Sequence, residues 1–235
     1  MTSTLRHCGI RDHYRSDTDD LVSDFFEPCL SVASRYDRAV GYFTSTSLAL
    51  AASCLGRFVE RDGYIRIIAS PHLNEEDIEQ IELGYEYRKV IERAVLRELD
   101  SIAEASDALL GRLGLLGELI GKSALDIKIA VVRRGNHLAL YHEKIGIFSD
   151  NEGNQVAFSG SSNETANAFV DNFESIEVFR GWEPSDKDRV SRLASNFGKL
   201  WSGDTPNMEL FDFPELGKER LLTLAASAGD RGLYG

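Results

Sequence analysis

Hydrophobic and polar positions follow two rhythms along this chain, and the rhythm changes near its middle. In Asp17–Glu27 (DTDDLVSDFFE) acidic residues precede Leu21, Val22, Phe25 and Phe26, a spacing that predicts an N-capped amphipathic helix. Arg38–Ser45 (RAVGYFTS) is short, aromatic and β-branched and predicts a strand, followed by an Ala- and Leu-rich helix over Ser47–Val59. Tyr64–Ala69 (YIRIIA) predicts a second strand, stopped by Pro71. Over Asn74–Glu104, Ile78, Ile81, Tyr85, Val90, Ile91, Val95, Leu99 and Ile102 follow roughly three-four spacing, as in one long helix. Asn74 followed by Glu75, Glu76 and Asp77 suits its start, because acids favour the positive end of the helix dipole. Gly111, Gly114, Gly117 and Gly121 then predict a helical stretch broken into short pieces.

Beyond residue 125 a period of two takes over. Asp126–Arg133 (DIKIAVVR) predicts a strand, Gly135-Asn136 a turn, and His137–Tyr141 the start of the next strand. Ile145–Phe148 and Gln155–Ser159 flank the turn sequence DNEGN at Asp150–Asn154, which predicts a hairpin. Glu174–Arg180 predicts a further strand and Ser185–Trp201 a helix. Strands interleaved with helices predict an α/β layered domain over 1–201. After Ser202 the chain is mostly polar with a Gly-rich end, which predicts a tail over 202–235 or the start of a further region.

Composition changes this picture in one respect. The chain has 235 residues, 43% hydrophobic and 27% charged, enough to bury a core without a disulfide or metal staple. Its formal net charge is -12, which argues against non-specific wrapping of nucleic acid, since phosphate neutralisation needs clustered cations. The acidity is local. Residues 74–104 hold ten acids against four bases, and residues 16–27 five acids and no base. Residues 126–144 run the other way, with Lys128, Arg133, Arg134 and Lys144 against Asp126 and Glu143. No run of about 18 apolar residues occurs, so no membrane-spanning helix is predicted. Arg6, Arg11 and Arg15 are followed by no apolar run, so no secretory signal is predicted. Cys8, Cys29 and Cys54 are odd in number, with no CxxC or Cys/His spacing. Reduced thiols, a cytoplasmic location and no metal or other cofactor follow as expectations.

The chemistry concentrates between Tyr141 and Glu174. His142 and Lys144 are two apart on a predicted strand, which would place both side chains on one face. Gly160-Ser161-Ser162-Asn163 follows the next strand, and such a turn presents backbone N–H groups to an anion. Glu174 begins a further strand, within reach of an imidazole. These pieces suit phosphate-ester chemistry without a metal. An imidazole can form a covalent intermediate at phosphorus. A Lys ammonium and an Asn amide can hold the non-bridging oxygens as charge builds up, and a carboxylate can fix the imidazole tautomer. A solvated polar strand, followed by a helix for which Asn163 is only the N-cap, is the simpler alternative.

The region resembles the phospholipase D superfamily, whose HxK motif matches His142-Glu143-Lys144 and whose GSxN motif matches Gly160-Ser161-Ser162-Asn163. Glu174, eleven residues after Asn163, stands where the small nucleases of that family carry a Glu. The wording HEKIGIFSD and VAFSGSSNET, with GYFTS at Gly41–Ser45, is most similar to phospholipase D-like domains that accompany helicases in prokaryotic DNA-processing and defence systems. The resemblance covers roughly residues 20–200. It implies a layered α/β/α domain with a central mixed β-sheet flanked by helices. It also implies a metal-independent phosphodiesterase (a hydrolase) acting as an endonuclease, on DNA before RNA, through a phosphohistidine. In that reading His142, Lys144, Asn163 and Glu174 are catalytic, and Ser161, Ser162, Ser45 and Arg133 bind substrate. The motif acid is displaced: Ser149 takes its position, with Asp150 next to it. Only His142 among the five His has a Lys two residues on, whereas the family's chemistry uses two facing motifs, so the resemblance implies a homodimer sharing one site. His137 and His72 are read as structural or loop residues, and Trp182 and Trp201 as core. Two other readings remain: a DNA-binding or dimerisation module supporting a helicase or other defence-system subunit, without catalysis, and a phosphodiesterase for lipid head groups or small substrates. Against the lipid case stands the lack of an amphipathic cationic helix, and no membrane partner is expected.

Overall fold

The computed structural model describes residues 4–41, 55, 58–82, 86–134, 137–139, 141–160 and 175–233. Its centre is a nine-stranded mixed sheet: β1 (His13–Arg15), β2 (Arg35–Val40), β3 (Tyr64–Ala69), β4 (Leu125–Arg134), β5 (His137–Ala139), β6 (Ile145–Ser149), β7 (Gln155–Gly160), β8 (Ser175–Arg180) and β9 (Met208–Asp212). The order across the sheet is β1-β8-β7-β6-β2-β3-β4-β5, with β9 also paired to β4. β2, β3 and β4 run parallel, and β6 pairs with β2 antiparallel, as do β7 with β6 and β8 with β7. The predicted layered α/β architecture, a mixed sheet between helices, is therefore observed.

Both faces of the sheet are buried, which is why its inner strands read as near-continuous apolar runs. On one face Tyr36, Val40, Ile65, Ile67, Phe148 and Phe158 meet Phe25 and Phe26 and a helical layer. That layer comprises α3 (Tyr87–Ala105), α4 (Asp107–Gly121) and α6 (Glu215–Asp230). The other face, with Ala39, Ile68, Ala130, Ile145, Ile147 and Ala157, is covered by Val190, Phe197 and Leu200 of α5 (Lys187–Trp201).

Tyr64–Ala69 and the hairpin at Asp150–Asn154 form as predicted. Other expectations are corrected. The Asp17–Glu27 helix starts later, as a π-turn Val22–Phe26 continuing into α1 (Glu27–Leu30). The first strand lies three residues earlier than its pattern suggests, at Arg35–Val40, and its supposed end at 42–45 is outside the described residues. Most of the Ser47–Val59 helix is outside them too, but Leu55, Phe58 and Val59 are helical. The long helix is two: α2 (Glu75–Glu82) and α3.

The glycines of 111–121 do not break α4, which is continuous. A Cβ at Gly117 would collide with the Leu221 carbonyl of α6, and one at Gly111 would come 2.5 Å from the Leu233 carbonyl. The glycines therefore allow close helix packing, a tertiary gain that outweighs the roughly 1 kcal/mol propensity cost of each. The polar tail is also corrected: β9 extends the sheet and α6 packs on α4, burying Leu221, Leu224 and Ala228. Leu216 and Leu222 are exposed on the same helix, which blurred its periodicity.

Candidate active site

Strand direction alone brings the motif to one edge. That edge is made by the carboxyl ends of β2, β3, β4 and β7 and by the amino ends of β6 and β8. His142, Glu143 and Lys144 lead into β6, Gly160 closes β7, and Ser175, bonded to Glu174, opens β8. These three strands are consecutive neighbours, about 4.8 Å apart. Gly160 stands opposite Ile176, and a Cβ there would collide with the Ser175 carbonyl and approach the Ile176 Cα to 2.9 Å. Glycine at the head of GSSN is thus required by the close approach of β8. The candidate residues Ser161, Ser162, Asn163 and Glu174 lie outside the described residues, as does Ser45.

His142 and Lys144 were expected within a strand; instead residues 141–144 have no ladder pairing and precede β6. Tertiary contacts hold this segment. The Tyr141 side chain is buried in the cluster with Ala39, Ile145 and Val190, and its hydroxyl donates to Glu143 Oε2 at 3.0 Å. Burial, reinforced by Glu143, pushes the Tyr141 phenol far up, while Arg38 opposes the shift. The upward shift favours the protonated, donating form of the phenol. The His142 side chain is exposed and its ring lies against Gly41, the residue after β2.

Beneath the edge, a row runs across three strands. Arg38 of β2 pairs in register with Gly146 of β6, and Gly146 with Phe158 of β7. A Cβ on Gly146 would strike the Phe158 ring, so glycine lets that ring lie over β6, and the buried Arg38 guanidinium sits 5.0 Å from its centroid. Arg38 and Gly41 are absent from the sequence-derived site. A glycine directly after the strand and an arginine facing the same side as Tyr36 and Val40 are the available signals.

Arg133 lies near the same edge, but β4 is three strand spacings from β6, about 14 Å. Its guanidinium pairs with Glu209 at 2.9 Å and lies 5.0 Å from the Tyr87 ring centroid. His72, in the loop after β3, has Nδ1 3.4 Å from Glu98 Oε2. Trp201 is occupied by Arg66 and Lys128, which lie 5.1 Å and 4.9 Å from its ring.

Ser149 and Asp150 are at the opposite end of β6, about 13 Å from Ile145. The Ser149 carbonyl accepts from Ser34 N, and the Asp150 carboxylate accepts from Leu5 N, Glu152 N, Asn154 N and the Asn154 amide at 2.9–3.2 Å. Asp150 thus organises the hairpin and ties down the N-terminal segment. Asp150→Ala is expected to cost about 2 kcal/mol in denaturant unfolding, because the buried Leu5 N–H and the part-buried Glu152 and Asn154 N–H groups lose their acceptor. A loss under 0.5 kcal/mol would contradict this role. Among the described residues no group of three or more His, Cys, Asp or Glu could hold a metal ion, and no helix is long and apolar enough to cross a membrane. Cys8 and Cys29 are free thiols.

Among the solved structures to which the chain is similar in fold are two proteins. One is NucT from Helicobacter pylori, at 15% identity and a TM-score of 0.46 over 81% of this chain and 95% of that one. The other is phosphatidylserine synthase from Haemophilus influenzae Rd KW20, at 14% identity and a TM-score of 0.47 over 91% of this chain and 44% of that one. No family model and no curated protein sequence matches the chain.

Proposed function

We propose that this chain is a phospholipase D-type phosphodiesterase that cleaves DNA without a metal, in a site shared by two copies. The observation that carries the reading is that the HxK segment, Gly160 at the head of GSSN and Ser175, the residue after Glu174, stand at the adjoining ends of β6, β7 and β8. Those positions are separated by up to 33 residues of sequence, and a solvated polar strand gives no reason for them to meet.

In this reading the His142 imidazole attacks phosphorus, an N–P bond forms and the P–O bond to the leaving strand breaks. The leaving oxygen takes its proton from the His142 of the partner subunit, protonated at the outset. That imidazole, now neutral, takes a proton from water as the water oxygen attacks phosphorus, and the N–P bond breaks. Lys144 and Asn163 hold the non-bridging oxygens, Ser161 and Ser162 with the neighbouring amides assist, and Glu174 orients His142. Ser45 is assigned to substrate binding on the sequence alone. Arg133, already paired with Glu209, serves at most as an outer contact to a passing phosphate. Ser149 in place of the usual acid does not favour the non-catalytic module, because Asp150 performs a structural task at the far end of β6. A prokaryotic defence or restriction setting, alongside a helicase, extends the same reading.

The test is relaxation of supercoiled plasmid in excess EDTA. Cleavage is expected with EDTA present; cleavage that appears only with added Mg²⁺ would reject the histidine mechanism. DNA binding is expected to be weak and salt-sensitive, because the net charge is -12 and the cations are few and local. With about three phosphate contacts, affinity falls roughly 40-fold between 50 and 200 mM salt. Fluorescence anisotropy across that range checks this, and a salt-independent Kd would contradict it.

A further inference from the structure

We propose that Gly41 is a positioning residue for His142: its missing side chain is the seat on which the imidazole rests. An ideal Cβ at Gly41 would lie 2.5 Å from His142 Cδ2, 3.1 Å from Nε2 and 3.5 Å from Cγ. Ordinary carbon contacts are about 3.5–4.0 Å, so a single methyl group demands a ring displacement of roughly 1 Å. The backbone gives no other reason for glycine here. Gly41 is not among the described residues of positive φ, whereas Gly9, Gly153, Gly203 and Gly232 are. It is buried, unlike a glycine chosen for an open loop. Glycine at a strand end also carries an entropic cost relative to alanine, so its presence calls for a compensating use of the space.

The segment carrying His142 cannot simply slide away from an added methyl. On one side Tyr141 is buried against Ala39 and Ile145 and hydrogen-bonded to Glu143. On the other, Ile145 is locked into the ladder opposite Ala39 and Ser159. The ring itself must therefore turn, and both of its nitrogens move with it. The kinetic consequence rests on the phosphodiesterase reading; the structural consequence does not.

The experiment compares wild type with Gly41→Ala by NMR of the His142 ring and by plasmid cleavage kinetics in EDTA. The His142 ring cross-peaks, assigned by their loss in His142→Ala, are expected to shift. The melting temperature is expected to stay within a few degrees of wild type. The kcat is expected to fall about 100-fold with KM changed less than threefold, as for a displaced reacting group. Unshifted cross-peaks overturn the proposal, and so does a kcat within threefold of wild type. If wild type cleaves nothing, the phosphodiesterase reading fails while the NMR comparison still decides the seat. If Gly41→Ala does not fold, the double variant Gly41→Ala/His142→Ala decides: its folding supports the seat, and its failure to fold overturns it.

Discussion

His142→Ala is expected to abolish plasmid cleavage in EDTA, with a loss of at least about 10⁴-fold and no loss of fold. The size follows from the role. In the proposed reaction the imidazole is both nucleophile and, on the second copy, proton donor, so one substitution removes both functions from every site. Loss of a covalent nucleophile typically removes most of the chemistry of a site, leaving only the contribution of electrostatic holding groups. Folding should survive because the side chain is exposed and its segment is held by Tyr141 and Ile145 instead. Plasmid cleavage alongside thermal unfolding checks both halves. Residual activity above about 1% of wild type would remove His142 from the role of nucleophile. If the site spans two copies, mixing wild type with excess variant should also depress wild-type activity, because mixed dimers lack one imidazole.

Asp37→Ala is expected to cost about 3–5 kcal/mol, among the largest losses a single substitution could cause here. Asp37 is 3% exposed on β2 and stands opposite Arg66 of β3 in the parallel register. Its carboxylate accepts from Arg66 Nε and Nη2, both at 2.7 Å, and Arg35 Nε approaches to 3.2 Å. The Arg66 guanidinium is itself mostly buried, 5.2 Å from the Phe197 ring and 5.1 Å from Trp201, while Lys128 lies over the same Trp201. Removing the carboxylate leaves the mostly buried Arg66 guanidinium without its two-point acceptor. In a chain of this size the loss corresponds to a melting temperature lower by roughly 10 °C. Pairing the change with Arg66→Met should recover most of it, since replacing both charges removes the desolvation penalty along with the attraction. A drop below 3 °C for Asp37→Ala alone would show the pair to be dispensable. The pair ties β3 to the middle of β2, the strand that leads to Gly41.

How much of the fold and site is legible in the sequence depends on the range of the interaction responsible. The HxK and GSSN spacing, the hairpin around Asp150–Asn154 and the strand Tyr64–Ala69 are local patterns, and each is carried by a few neighbouring residues. The glycines of α4 mislead because their local cost is real, but the gain that outweighs it comes from Leu221 and Leu233, more than 100 residues away. The segment after Trp201 reads as a tail because β9 is half-buried along its length and α6 exposes Leu216 and Leu222; only pairing with β4 and packing on α4 give those elements their stability.

The sequence by itself determined the residue types able to do phosphate chemistry, their spacing and the alternation of helix and strand. Side-chain chemistry and backbone period are properties of short segments. The tertiary structure alone decided that β6, β7 and β8 are neighbours that bring Ile145, Gly160 and Ser175 to one edge. It alone placed the His142 ring on Gly41, buried Arg38 against Phe158, and sent Asp150 to the far end of the strand as a turn-former. Those outcomes depend on strand order and on contacts between residues up to about 145 positions apart, and no local periodicity encodes which distant segment will fill a given space.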